Sequence, residues 1–197
     1  MRWRVHLSRA LMLAGLGITM GGAAVAAAST QDRIDPLFSL IGPRHHKFTP
    51  KDFRGRFLLI YFGYTGCPDQ CPMTMASMAS AMRLLGPRAA LIQPIFITVD
   101  PKRDTPKVAG DYARLFSSRI IGLSGGQKAI TAAESAFHVY IGIKNPKTSS
   151  IPHSSLFYVV GPMGRFRSAL SGDLTAAKLA RALSRIVGAG TPTERTK

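Results

Sequence analysis

The chain of 197 residues has only two cysteines, Cys67 and Cys71. A closed structural zinc site needs four protein ligands, so two thiols would require two histidines beside them. A structural disulfide between positions four apart would close a loop of a few residues, which stabilises a protein little. A redox couple or part of a metal site is therefore favoured over a structural role for this pair.

Acidic residues are also scarce, at 10 against 26 lysines and arginines, which gives a formal net charge of +16. The basic residues are scattered, and no cluster of them interleaves with aromatic residues, so no nucleic-acid site is predicted. A solvated basic surface accounts for most of these charges. What remains is a weak surface preference for an anionic membrane or an acidic partner.

The N-terminal segment has no acidic residue at all. A basic stretch, "MRWRVHLSRA", precedes an uncharged run that ends in small residues, "AVAAAS". This order is typical of a signal peptide. The apolar stretch of 19 residues would also suffice for a membrane anchor, although its glycine and alanine content favours cleavage. Either reading of residues 1–28 predicts an extracytoplasmic, periplasmic protein, soluble or anchored to the inner membrane, with a domain over 29–190 and a flexible tail over 191–197.

Strand and helix patterns alternate along the predicted domain. Apolar runs typical of buried strands cover 57–62, 94–100 and 155–160, and "HVYIGI" at 138–143 predicts an alternating strand. Helices are predicted after the cysteines, after Thr105, in "GGQKAITAAESAF" and in "LTAAKLARALSRIV". The methionines Met75, Met78 and Met82 recur at helical spacing and are interpreted as core residues. The alternation predicts an α/β fold with a central mixed sheet flanked by helices.

The cysteines follow a central predicted strand and open a helix, where α/β sheets gather their sites and a thioredoxin-like fold holds its redox pair. Pro68 suits the first helical position, which would place Cys67 at the N-cap and Cys71 one turn further on. Four helical residues rise about 6 Å, within the roughly 4.4–6.8 Å that a disulfide spans. The helix dipole favours thiolates, which both attack disulfides and bind soft metals.

Of the five histidines, one stands out. His6 belongs to the N-terminal segment, His45 and His46 lie in a polar turn, and His138 begins an apolar run. His153, in "SSIPHSSLFYVV", directly precedes the third buried strand. In a thioredoxin-like sheet this strand neighbours the one that leads into the cysteines, so the loop carrying His153 faces the pair. Taken alone, such a histidine is more often an ordinary loop residue.

Three segments, "FGYTGCPDQCP", "FITVDPKRDTP" and "PHSSLFYVVGPMG", together resemble the signatures of the SCO/SenC family. The resemblance runs from about Pro36 to Gly164. It implies a thioredoxin-like fold and one copper ion, Cu(I) or Cu(II), bound by Cys67, Cys71 and His153. It also implies delivery of copper to the binuclear site of cytochrome c oxidase subunit II, or reduction of that site's cysteines.

Two positions depart from the family pattern. Gly66 stands where the family often has histidine, and Pro152 stands where it commonly has aspartate before the ligand histidine. An acidic neighbour orients a ligand histidine and raises its basicity, so its loss bears on copper affinity. Asp100 and Asp104 bracket the turn after the second buried strand, and a loop-fixing role is favoured for both, with partner docking as the second reading.

Three hypotheses about function follow. The first is a copper metallochaperone for cytochrome c oxidase subunit II or other copper proteins, because two thiolates and an imidazole suit copper. The second is a periplasmic thiol-disulfide oxidoreductase that uses Cys67 and Cys71 on oxidase cysteines or on peroxide. The third is an interaction module without cysteine chemistry. A reductase has no need of His153, so that residue separates the first two.

Overall fold

The structure is a computed structural model that describes residues 38–148 and 150–190. The predicted signal peptide or anchor at 1–28 and the predicted tail at 191–197 lie outside these residues. Within the described part of the chain, no helix combines the length and the apolar character needed to cross a membrane.

A five-stranded sheet forms the centre of the described domain. The strands along the chain are β1 (Leu40–Ile41), β2 (Lys47–Phe48), β3 (Phe57–Gly63), β4 (Ile92–Thr98), β5 (Ile121–Leu123), β6 (Leu156–Val160) and β7 (Phe166–Ser171). The helices are α1 (Gln70–Leu84), α2 (Pro106–Phe116), α3 (Gln127–Ala136) and α4 (Ala176–Gly190). The sheet order is β5-β4-β3-β6-β7, while β1 and β2 form a separate antiparallel pair.

The sheet is mixed, as the sequence predicts. Strands β3, β4 and β5 run parallel and are connected through α1 and α2, whereas β6 and β7 pair antiparallel. The three predicted buried strands are its three central strands, and β6 lies directly beside β3. This pairing places the start of β6 next to the end of β3, where the chain turns toward the cysteines.

Burial on both faces explains the continuous apolar runs. All seven residues of β3 and all seven of β4 are buried. On one face, Tyr61 and Phe96 pack together, and Tyr112 of α2 covers Phe96 with ring centroids 5.2 Å apart. On the other face, Phe62 packs against Phe137 at the end of α3, with centroids 5.4 Å apart. Helices on both sides therefore exclude water from the central strands.

The predicted strand at 138–143 is wrong. Helix α3 ends at Ala136 with Phe137 as its C-cap. His138 then adopts a positive φ of 52°, which turns the chain away from an extended path. Only an isolated bridge between Ile141 and His153 remains of the expected pairing. The large side chains of Tyr140 and Ile143 are 67% and 93% exposed, so the apolar alternation here does not mark a buried face.

The end of β4 is joined to the loop after β3 by one buried carboxylate. Asp104 is fully buried and accepts hydrogen bonds from the Thr65 amide at 2.9 Å, the Thr65 hydroxyl at 2.5 Å and the Thr98 hydroxyl at 2.7 Å. Asp100 accepts a bond from Lys144 Nζ at 2.7 Å. Both acids fix loops, as their positions in the sequence suggest.

Replacing Asp104 tests how much this link stabilises the domain. Asp104→Ala leaves three donors without their acceptor, so we expect the free energy of unfolding to fall by about 3 kcal/mol, whereas Thr98→Val should cost about 1 kcal/mol. Urea unfolding followed by circular dichroism measures both. Asp111→Ala, which removes an exposed acid on α2, should leave the unfolding midpoint nearly unchanged. Equal effects at the two aspartates would contradict this role.

Candidate metal centre

Cys67 lies in the loop between β3 and α1. Its amide donates to the Tyr64 carbonyl oxygen at 3.3 Å, which closes a turn, and α1 begins only at Gln70 with Asp69 in the N-cap position. The expectation that Cys67 is the N-cap is therefore wrong by two residues. Its Sγ nevertheless accepts a hydrogen bond from the Cys71 amide at 3.3 Å, so the sulfur still meets a free N–H of the first turn.

Cys71 is fully buried in the first turn of α1. The Tyr61 hydroxyl donates to its Sγ at 3.4 Å. Space for the sulfur depends on Gly63, since a Cβ at that position would lie 3.2 Å from Cys71 Sγ and 2.9 Å from the Tyr61 ring. Burial raises the pKa of the Cys71 thiol to about 12, and the bond from Tyr61 acts in the opposite direction. Without metal, Cys71 is thus a protonated thiol behind the half-buried Cys67.

His153 approaches the pair from the loop before β6. Its Nε2 lies 4.0 Å from Cys71 Sγ, and its Nδ1 lies 2.8 Å from the Ile151 carbonyl oxygen. Because a carbonyl can only accept, Nδ1 carries the proton, and the lone pair of Nε2 points toward the cysteine side. Pro152 offers no acidic side chain, so a backbone carbonyl supplies the orientation that an aspartate would otherwise give.

Tyr64 supports the histidine from behind. Its hydroxyl accepts a hydrogen bond from the Ile151 amide at 3.3 Å, and its ring meets the His153 ring edge-on with centroids 5.8 Å apart. Tyr61 thus contacts Cys71, and Tyr64 contacts the segment that carries His153. Sequence reasoning missed both residues. The sequence feature that could have indicated them is the position of two tyrosines in and after a buried apolar run, because a buried tyrosine hydroxyl needs a hydrogen-bond partner.

Arg103 is a further residue that sequence reasoning missed. Its guanidinium lies against Gly66, where an added Cβ would be 2.8 Å from Cζ. Any side chain at position 66 would therefore displace it. Among the salt bridges of residues 38–148 and 150–190, none includes Arg103. A permanent positive charge consequently stands over Gly66, the residue before Cys67.

Cys71 is the centre of the three predicted ligands. Within the described residues, no three side chains of His, Cys, Asp or Glu are gathered closely enough to hold a metal as they stand. The 4.0 Å between Cys71 Sγ and His153 Nε2 can nevertheless be bridged by one ion with bonds of about 2.3 Å to sulfur and about 2.0 Å to nitrogen. Cys67 would have to turn its Sγ from the Cys71 amide toward that ion.

The other described histidines do not belong to this centre. His45 and His46 lie exposed between β1 and β2, and His138 is exposed after α3. A soft-ligand set of two sulfurs and one imidazole suits copper, and the two thiols alone suit disulfide exchange. The geometry is compatible with both chemistries.

Comparison with known proteins identifies the family. The family model for SCO1/SenC matches residues 26–188. Protein sco1 of Schizosaccharomyces pombe is 36% identical over 165 residues, which are 81% of this chain but 63% of that protein's length. The mitochondrial SCO2 homolog of Bos taurus is 32% identical over 92% of this chain and 76% of its own. SenC of Rhodobacter capsulatus is 35% identical over 77% and 70%, respectively.

Solved structures give the same result. Bradyrhizobium japonicum ScoI, crystallised with copper bound, is 33% identical with a TM-score of 0.67, over 76% of this chain and 97% of that one. Yeast Sco1 with copper bound is 30% identical with a TM-score of 0.71, over 82% and 93%. The chain therefore belongs to the SCO1/SenC family and has its thioredoxin-like fold.

Proposed function

We propose that this chain is a copper metallochaperone that binds one copper ion through Cys67, Cys71 and His153 and serves the assembly of cytochrome c oxidase. The observation that carries this is the approach of His153 Nε2 to Cys71 Sγ at 4.0 Å, with the ring oriented by the Ile151 carbonyl. The copper-bound ScoI and Sco1 relatives support copper as the cargo.

The two sulfurs have different parts in this proposal. Cys67 is half-buried and accessible, so it receives or releases the ion first, while Cys71 and His153 hold it from the protein side. Thiolates are the preferred ligands of Cu(I), and imidazole accepts either oxidation state. Binding must displace the proton of the buried Cys71 thiol, so copper affinity falls as the pH is lowered. A set of only three ligands leaves a position through which a recipient can take over the ion.

The proposed client is the binuclear copper site of oxidase subunit II or another copper protein outside the cytoplasm. The signal-like pattern of residues 1–28 supports the periplasmic location, with the domain soluble or anchored to the inner membrane. Delivery in that compartment requires a site near the surface, and the half-buried Cys67 meets this requirement.

The contrast between an accessible Cys67 and a fully buried Cys71 also favours a second candidate, a thiol-disulfide reductase. The Cys67 thiolate would attack a disulfide of the client, forming a mixed disulfide and releasing one client thiolate. Cys71 would then give up its proton and displace the second client sulfur. Two electrons and two protons reach the client, and the chain keeps a Cys67–Cys71 disulfide. His153 has no part in this sequence.

Copper binding should require the reduced cysteine pair. The protein lacking residues 1–28 should elute as a monomer with one copper per chain, and its Cys67–Cys71 disulfide form should not retain Cu(I), because the thiolate lone pairs are consumed. Metal analysis after gel filtration and competition with a Cu(I) chelator measure both forms. Unchanged Cu(I) affinity after complete oxidation would be incompatible with cysteine ligation.

The variant His153→Ala separates the two candidate functions. Cu(II) affinity should fall roughly 100-fold and Cu(I) affinity about tenfold, because thiolates carry most of the Cu(I) binding while Cu(II) prefers added nitrogen. The sulfur-to-copper absorption should change as well. His138→Ala, at an exposed position outside the centre, is the matched control and should bind as the parent does. If His153→Ala kept the copper spectra and the oxidase-assembly activity of the parent protein, the reductase would be the better-supported function.

Alkylation should distinguish the two thiols of the metal-free protein. At pH 7.5, iodoacetamide should modify Cys67 much faster than Cys71, because Cys71 is enclosed and its pKa of about 12 keeps it protonated. Tyr61→Phe removes the donor that favours the Cys71 thiolate and should slow Cys71 further. Peptide mapping by mass spectrometry gives both rates, and unfolding in urea should equalise them. Equal rates in the folded protein would refute the asymmetry.

A further inference from the structure

Two loops lie beside the cysteine segment: one after β4, whose Arg103 lies over Gly66, and one before β6, whose His153 approaches Cys71. The first carries Asp100 and Asp104, whose carboxylates both face inward. Asp104 is fully buried, and Asp100, 8% exposed in its side chain, pairs with Lys144 of the second loop. The same first loop leaves Lys102 and Arg103 exposed. The acids of this region are thus withdrawn from the surface, and the cations remain on it.

Arg103 brings one of these cations directly to the site. Its guanidinium occupies the space over Gly66, the residue before Cys67, and no salt bridge in the described part of the chain neutralises it. The exposed acids Asp69 and Asp173 lie instead at the start of α1 and before α4. The positive side of the site is therefore the side formed by the two loops.

The second loop adds two large apolar side chains that are mostly exposed to solvent. Tyr140 is 67% and Ile143 is 93% exposed. This loop is tied to the ligand segment, since Ile141 bridges His153 and the Gly142 amide donates to the Pro152 carbonyl oxygen at 2.7 Å. Exposed apolar groups held beside a site and rimmed by charge are typical of a protein-binding surface.

We propose that these residues form a docking face for a protein with an acidic surface around its own cysteine pair. The docking face consists of Lys102, Arg103, Tyr140 and Ile143. It rests on the proposed function, in which Cys67 exchanges copper or electrons with a client, and it specifies the charge of that client. The basic rim accelerates encounter with an acidic partner, and the two apolar side chains supply contact once it has docked.

Charged model clients test this charge preference without copper. Two peptides, each with one internal disulfide and one leucine, differ only in four flanking glutamates or four flanking lysines. Reduced full-length protein transfers two electrons and two protons to the peptide and becomes oxidised at Cys67 and Cys71. In low salt, the glutamate peptide should react about tenfold faster than the lysine peptide, and the difference should vanish near 1 M salt. Equal rates, or a faster lysine peptide, would overturn the proposal.

Matched variants assign the preference to the docking face. Lys102→Gln combined with Arg103→Gln should reduce the rate ratio several-fold, whereas Arg103→Lys should keep it. Arg181→Gln with Arg185→Gln removes the same charge from α4, beside the far end of α1, and should change nothing. Tyr140→Ala with Ile143→Ala should slow both peptides alike. If the α4 control lowered the rate ratio as much as the Lys102 and Arg103 variant does, the preference would reflect net charge alone and the docking face would be refuted.

Further measurements separate the docking face from the metallochaperone proposal and from a membrane contact. Fluorescence anisotropy of the labelled peptides with the Cys67→Ser variant reads the same preference without any exchange reaction, and equal affinities would count against it. If copper competition shows no site while the charge preference persists, the metallochaperone fails and the docking face stands. Binding to phosphatidylglycerol vesicles tests whether the face contacts a membrane rather than a protein. Vesicle binding that depends on Lys102 and Arg103, with no peptide preference, would make the face a membrane contact.

Discussion

The buried carboxylate of Asp104 is the constraint on which the site geometry depends. A buried carboxyl group needs hydrogen-bond donors, and these come from Thr65, ahead of the cysteines, and from Thr98, at the end of β4. The Asp104 carbonyl oxygen also accepts a bond from the Ser124 hydroxyl after β5. One residue therefore aligns the ends of three parallel strands, and the path of the chain into Cys67 follows from that alignment.

The parts of the fold that the sequence predicts are the strands in which burial on both faces requires an uninterrupted apolar run. Strands β3, β4 and β6 are apolar on both faces, so their runs identify them without knowledge of their neighbours. Strand β5 has only three residues, and β7 alternates between half-buried and exposed residues, so neither contains a continuous apolar run. The strand predicted at 138–143 is absent because the apolar alternation there does not mark a buried face: Tyr140 and Ile143 face solvent.

The candidate site is predictable only as far as residue chemistry is. Two spaced thiols and one histidine beside a central strand can be recognised from the sequence, and the family resemblance joins them. The residues that contact and orient these side chains cannot be recognised from the sequence, because their contacts join positions far apart in the chain. Tyr64 meets the Ile151 amide 87 residues away, and Arg103 fills the space left by Gly66. The sheet register decides which sulfur or amide each tyrosine hydroxyl contacts, and the local sequence does not predict that register.

The aim of the His153 ring is set by a main-chain oxygen, that of Ile151. Every amino acid supplies such an oxygen, so the histidine does not depend on the chemical identity of the residue that precedes it. Pro152 can therefore replace an acid without leaving the ring free to rotate. A substitution at position 152 that keeps this backbone path should therefore leave the orientation of the ring unchanged.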